Sequence, residues 1–177
     1  MIHPRQGLVK RFWGIVLRAV IEFLVRKRRW RVSRLALGVL GVDFPASVKV
    51  GDQLYLAHGS QGSVIHGSTV IGDRVRIFQQ VTVGRKDAHV GDKATDFDRV
   101  EIGNDVVLFA GAKVLGGAGI TRVGAGTLVA ANAVLLQSTG ENEVWAGMPA
   151  RKIGDRDPFV GALPPSVMNA TGSSPLL

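Results

Sequence analysis

The chain has 177 residues, 46% of them hydrophobic, with no cysteine and a formal net charge of +8. That length supports one domain with its own core, and the lack of cysteine excludes a disulfide framework, a thiolate nucleophile and a cysteine-held metal, which suits the cytoplasm. Ten of the 22 basic residues fall within the first 34 positions against one acid, Glu22, leaving 12 basic and 13 acidic residues beyond them, so the high charge belongs to the N-terminal arm alone.

Within the arm, residues 1–42, Arg11, Gly14, Arg18, Glu22, Arg26 and Arg29 follow one another at three- and four-residue steps. Leu8, Phe12, Ile15, Val16, Ala19, Val20, Phe23 and Leu24 fill the rest of the arc, which predicts an amphipathic helix with a narrow polar stripe. Arg18 and Glu22 interrupt the apolar run, so no bilayer-spanning segment is expected, and no small-residue cleavage site follows as in a signal peptide. With Trp13, Trp30 and the Arg26 to Arg29 cluster, residues 7–34 suit peripheral contact with anionic lipid at the inner face of the membrane. The same apolar face suits packing on the rest of the chain or on a neighbouring subunit, and the pattern leaves both open. Nucleic acid is not an expected partner, because no recognised fold or base-stacking platform accompanies the charge.

From residue 43 to 153 a different period takes over. Aliphatic residues recur every sixth position at Ile65, Ile71, Ile77 and Val83, then at Ile102, Leu108 and Val114, then at Val123, Val129 and Leu135. Small or β-branched residues stand four further on (Thr69, Val75, Val81, Val106, Ala112, Thr127, Ala133), and glycine often comes next after the aliphatic residue. Six fits neither a helix nor a simple alternating strand. It suits an all-β parallel β-helix in which each hexad is one side of a triangular turn. Two breaks in the frame stand out. Leu56 to Ile65 is nine residues, which predicts a bulge that lifts His58 clear of the stack, and residues 85–100 read as a protruding loop carrying His89. His66 takes a position where glycine is usual and is expected as an exposed turn residue. Residues 35–50 are expected to cap one end of the coil and Val144 to Ile153 the other, since open strand edges must be covered. The stretch 154–177, with Pro164-Pro165 and Gly172-Ser173-Ser174-Pro175, reads as a flexible tail.

From Val42 onward the sequence resembles the left-handed hexapeptide-repeat acyltransferases, in the branch of serine acetyltransferases and exopolysaccharide acetyltransferases. The resemblance rests on Val42-Asp43-Phe44-Pro45, Leu54-Tyr55-Leu56-Ala57-His58-Gly59, Ile71-Gly72-Asp73, Gln79-Gln80-Val81-Thr82-Val83-Gly84, Ala110-Gly111-Ala112-Lys113-Val114-Leu115-Gly116 and Ala146-Gly147-Met148-Pro149-Ala150-Arg151. It implies an acetyl-CoA-dependent O-acetyltransferase, trimeric, with each active site between adjacent coils. A hydroxyl is a poor nucleophile until a base takes its proton, and histidine, with an ordinary pKa of about 6.5, is suited to that task. His58 matches the family's catalytic histidine. Asp43, fifteen residues earlier, matches the carboxylate that orients it. The resemblance places CoA in an outer groove at Gly84, Ala110 and Ala131, with Arg151 and Lys152 as candidates for its phosphates. His89 and Arg99, in the loop where serine acetyltransferases carry a second histidine, are candidate acceptor contacts.

Serine acetyltransferases resemble this chain at His58 but place an aspartate just before it to hold the substrate ammonium, where this chain has Ala57. An ammonium group without an anionic partner is costly to bury, so the expected acceptor is an uncharged saccharide hydroxyl in surface polysaccharide synthesis, with serine or another small hydroxy-amino acid as the alternative. A zinc-dependent carbonic anhydrase on the same fold needs three histidine ligands, and the spacings here do not supply the family's close pair, so no metal is expected. A non-catalytic β-helix scaffold is the remaining reading.

Overall fold

The computed structural model describes residues 16–27, 31–93 (backbone alone at 91–93) and 96–157. Three sheets of very short strands form the sides of a triangular coil. The first side stacks β1 (Lys49–Val50), β4 (Val70–Ile71), β7 (Phe97–Ile102) and β10 (Gly119–Val123). The second stacks β2 (Tyr55–Leu56), β5 (Arg76–Ile77), β8 (Val107–Leu108), β11 (Leu128–Val129) and β13 (Glu143–Gly147), with β14 (Ala150–Asp155) added antiparallel. The third stacks β3 (Val64–Ile65), β6 (Thr82–Arg85), β9 (Lys113–Gly116) and β12 (Val134–Leu135).

The hexad frame explains this architecture. A two-residue strand turns one side chain outward and the next inward, and the register aligns the inward residues of successive turns. Ile71, Ile102 and Val123 stack on the first side, Leu56, Ile77, Leu108, Val129 and Trp145 on the second, and Ile65, Val83, Val114 and Leu135 on the third. All are buried, and with the small residues at Val75, Val81, Val106, Ala112 and Ala133 they make one continuous core. Consecutive turns come so close that a Cβ at Gly103 would lie 2.7 Å from the Ala125 backbone nitrogen. The fold is a left-handed parallel β-helix, as the period and the resemblance led one to expect.

Both ends are covered. At the first end stand α1, helical over the described residues 16–26, and α2 (Arg31–Val39), burying Ile21, Val25 and Leu37 with Val42, Phe44 and Val48. β2 is the outermost strand of its sheet, so the Leu56 N–H has no strand to bond, and the Glu22 carboxylate accepts it at 3.2 Å. Arg18 donates to the Tyr55 hydroxyl at 2.8 Å. The described part of the expected helix, 16–26, is helical, but Arg18 and Glu22 of its polar stripe face the coil while Val20 and Phe23 are exposed. The reason is that an open strand edge presents polar N–H groups, which a carboxylate satisfies and an apolar face does not. Among the described residues, no helix is long and apolar enough to cross a membrane. Trp13 and residues 28–30, part of the expected lipid contact, lie outside the described residues.

At the other end the β13–β14 hairpin lays Trp145 over the last turn, its indole N–H donating to Glu143 at 2.8 Å. The strand continues two residues past the expected limit at 153, and Arg156 donates to the carbonyls of Asp105 and Gly126, both at 2.9 Å. The rest of the expected tail, 158–177, lies outside the described residues. The expected loop 85–100 is shorter, because β6 runs through Arg85 and β7 begins at Phe97.

Candidate active site at an inserted corner

One regular turn of the coil is 18 residues, the distance from Val64 to its partner Thr82. Tyr55 pairs with Arg76, 21 residues on, so three extra residues enter between β2 and β3. They produce a tight turn, Ala57–Ser60, in which His58 (φ 52°), Gly59 (φ 67°) and Ser60 (φ 49°) are all left-handed. A left-handed backbone costs a residue with a Cβ roughly 1–2 kcal/mol, so it persists only where the surroundings impose it. Here they do. Ser60 Oγ donates to the Ile77 carbonyl at 2.7 Å, the Gly62 N–H donates to the Gly41 carbonyl at 2.7 Å, and Ser63 Oγ accepts from the Val81 N–H at 3.1 Å. The helix α1 closes from above, and Ile21 Cδ1 stands 2.6 Å from where a Cβ on Gly59 would be.

His58 emerges from this rigid turn exposed to solvent, and among the described residues its ring has no hydrogen-bond partner. Its centroid is 6.3 Å from that of Phe78, which stacks on Phe109 at 5.1 Å. The register of the second sheet aligns Ala57, Phe78, Phe109, Ala130, Ala146 and Arg151 as one outward column along this corner. Ala110 and Ala131 follow Phe109 and Ala130 on adjacent turns, joined by the Asn132 N–H to Ala110 carbonyl bond at 2.9 Å. The corner thus carries one outward line of residues, with the exposed imidazole at one end, the stacked Phe78 and Phe109 next to it, then the small residues Ala110, Ala130, Ala131 and Ala146, and the exposed Arg151 at the other end. At about 4.8 Å per strand, the three steps from the turn of His58 to that of Ala131 span about 14 Å.

Asp43 lies on the other flank of the inserted residues, bridging to Val64, with its N–H donated to the Ser63 carbonyl at 2.9 Å. It lines a cleft of about 660 Å³ between α2 and the first turns, together with Arg31, Arg34, Phe44 and Val64. The Asp43 carboxylate is exposed, and no hydrogen bond joins it to His58 in this structure. Asp43, Arg31 and Arg34 form no ion pair among the described residues.

The remaining sequence candidates fall elsewhere. Gly84 sits at the opposite edge of the third sheet, paired with Leu115, away from this line. His89 is exposed in the 86–96 excursion at that same far edge, so one chain does not bring it to His58. Lys152 is held by Asp155 at 2.7 Å and Glu143 at 3.1 Å. Arg99 is committed to Asp98 at 2.6 Å and Glu101 at 2.7 Å, and Arg122 adds a second cation on Glu101 at 2.8 Å. The hydrogen bond from Arg99 holds the Glu101 carboxyl below the usual carboxylate range, with Arg122 reinforcing it. His66, expected as an exposed turn residue, is half-buried, with Nδ1 accepting from the Ser68 N–H at 3.3 Å and the ring edge-on to Phe97 at 5.3 Å. Phe78 and Phe109 were not singled out in the sequence. Their signal is an aromatic residue directly after an inward aliphatic one, at Ile77-Phe78 and Leu108-Phe109. Ile21 was not singled out either, and Glu22 entered only as part of the helix's polar stripe, whereas the structure sets them against Gly59 and Leu56 on either side of His58.

No family model matches the chain. It is 33% identical over 152 residues to serine acetyltransferase 4 of Arabidopsis thaliana, covering 79% of this chain and 40% of the relative. It is 33% identical over 118 residues to the serine acetyltransferase of Staphylococcus aureus strain Mu50, covering 67% of this chain and 51% of the relative. Among solved structures, the serine acetyltransferase of Vibrio cholerae O1 superposes with a TM-score of 0.60 at 28% identity, covering 81% of this chain and 54% of that one. The Brucella abortus enzyme in complex with coenzyme A gives 0.59 at 28%, covering 81% and 55%. The chain spans about half the length of the relatives it matches.

These findings correct the expected saccharide acceptor and the exopolysaccharide branch of the resemblance, because the similar proteins are serine acetyltransferases. The argument from Ala57 fails for a structural reason. Ala57 is only 4% exposed, so that position faces packed atoms, and the lack of an acid there says nothing about the charge of an acceptor. Over its coil the chain is a homologue of the serine acetyltransferases and carries the hexapeptide-repeat acyltransferase fold.

Proposed function

We propose that this chain is an acetyl-CoA-dependent O-acetyltransferase acting on serine or a related small hydroxy-amino acid. The observation that carries the reading is His58, an imidazole without a hydrogen-bond partner among the described residues, on a strained, pinned corner at the head of the outward line. Its relatives support the substrate class, and the relative solved with coenzyme A supports the donor.

In this reading the pantetheine arm runs along that line past Ala131 and Ala110, and Arg151 meets phosphate at the far end. Both alanines leave room that a larger side chain would fill. Lys152 is not assigned a phosphate, since two carboxylates already hold it. His58 removes the proton of the acceptor hydroxyl as its oxygen attacks the thioester carbonyl. The tetrahedral intermediate then expels the CoA thiolate, which recovers the proton from the imidazolium, so the products are the O-acetyl ester and free CoA. Asp43 is the carboxylate partner of His58 across the inserted turn, and catalytic hydrogen bonds of this kind are often long until substrate binds. The assembly in this reading is a trimer, in which the loop bearing His89 reaches the corner of the next chain.

The test is free-CoA release from acetyl-CoA by wild type and His58→Ala, with serine, homoserine, N-acetylserine and a saccharide panel offered side by side. Serine- or homoserine-dependent release that the variant loses supports the reading. Release with saccharides alone, or an undiminished His58→Ala, overturns it.

A further inference from the structure

The two N-terminal helices keep a surface that the coil does not use. Helix α2 buries Ser33 and Leu37 and turns Val32, Leu35 and Val39 outward, at 76%, 72% and 80% exposure. Their spacing of three and four residues makes them a single stripe along the helix. Helix α1 adds the exposed Phe23 and Val20. The same two helices carry Arg26, Lys27, Arg31 and Arg34, all exposed and without an ion pair among the described residues. The only acid between positions 16 and 39, Glu22, is turned to the Leu56 N–H.

We propose that this helical face docks on an anionic lipid surface. The charge decides the occupant. A second copy of the same face would set four unpaired cations against four more, whereas an anionic bilayer supplies the opposite charge and also accepts aliphatic side chains. Phosphates of a nucleic acid would satisfy the cations but have no use for Val32, Leu35 and Val39. The contact is interfacial, since no described helix has the length and hydropathy to span. The coil beyond the arm is close to neutral, with 12 basic and 13 acidic residues after position 34, so the attraction is confined to one end of the molecule. The proposal does not depend on the reaction assigned above.

The experiment is flotation of the full chain with vesicles of phosphatidylcholine alone and of equal parts phosphatidylcholine and phosphatidylglycerol, at low and high salt. Val32→Ser/Val39→Ser and Arg26→Glu/Lys27→Glu are run beside wild type, with thermal melting to confirm folding and light scattering to give the mass of each. Neither pair lies at His58 or on the outward line that starts there. The expected result is binding to the mixed vesicles, weakened by salt, and reduced about tenfold or more in each variant. Wild type that stays unbound, equal binding to phosphatidylcholine alone, or a folded serine variant that binds like wild type overturns the proposal. A smaller assembly for Val32→Ser/Val39→Ser overturns it as well, because the face is then a contact between copies.

Discussion

The coil is interrupted at three corners, and two of them are built on opposite terms. Between β6 and β7 the chain makes a long excursion rich in charge, yet its base is closed on itself: Arg85 pairs with Asp87 at 3.0 Å and lies over Phe97 at 5.1 Å, while Arg99, Asp98, Glu101 and Arg122 form one network. Between β2 and β3 only three residues are inserted, but they hold consecutive left-handed residues and an exposed imidazole with no hydrogen-bond partner among the described residues. A satisfied charge cluster stabilises a loop and leaves little for a ligand. A strained turn whose backbone is fixed and whose side chain is free is the form a catalytic group takes.

The sharpest way to break this contrast is at His58. His58→Ala is expected to lower serine-dependent CoA release by roughly 10²–10⁴-fold, the span of general base catalysis, with an unchanged melting temperature. An equal loss from Arg99→Ala would erase the distinction between the corners.

Next in size is the support of the turn from α1. Ile21 is fully buried, and Ile21→Ala is expected to cost about 2–5 kcal/mol by chemical denaturation. Glu22→Ala leaves the Leu56 N–H without its acceptor, an expected loss of about 1–3 kcal/mol. If α1 holds the His58 turn in shape, Glu22→Ala also lowers kcat, whereas a helix that merely covers the end leaves kcat unchanged.

Acid tests the closed networks. Glu101 is held below the usual range chiefly by the hydrogen bond from Arg99, Asp105 by that from Arg74, and Glu143 by that from the Trp145 indole. A carboxylate whose folded pKa is depressed contributes stability above its unfolded value and loses that contribution as pH falls through the folded one. Thermal melting is therefore expected to be level near neutrality and to decline below about pH 4. Arg99→Ala should flatten part of that decline. The smallest effect expected is from Arg99→Ala itself at neutral pH, a melting temperature close to that of wild type, since its ion pairs are partly exposed and screened by solvent.

How much of this was legible beforehand differs by region. The inward ladder from Ile65 to Leu135 could be read directly, because a β-helix repeats one environment at a fixed interval and the sequence must repeat with it. The irregular corner at His58 was legible as a break in that interval. Ala57 misled because the six-residue frame says which residues face outward but not which outward residues a later element covers. Lys152 misled in a related way. A free cation and one held by Glu143 and Asp155 look the same in one dimension.

By itself, then, the sequence determined the coil, its turn length, its interruptions at His58 and after Val83, and the confinement of charge to one end, since these follow from local period and composition. Only the tertiary structure decided that Ile21 and Glu22 buttress the His58 turn and that Phe78, Phe109, Ala130, Ala146 and Arg151 form one line. It also decided which charges are spent on one another. Each of those depends on contacts between residues one or more turns apart, and such contacts are set by how the turns stack and how the helices close over them, not by neighbours along the chain.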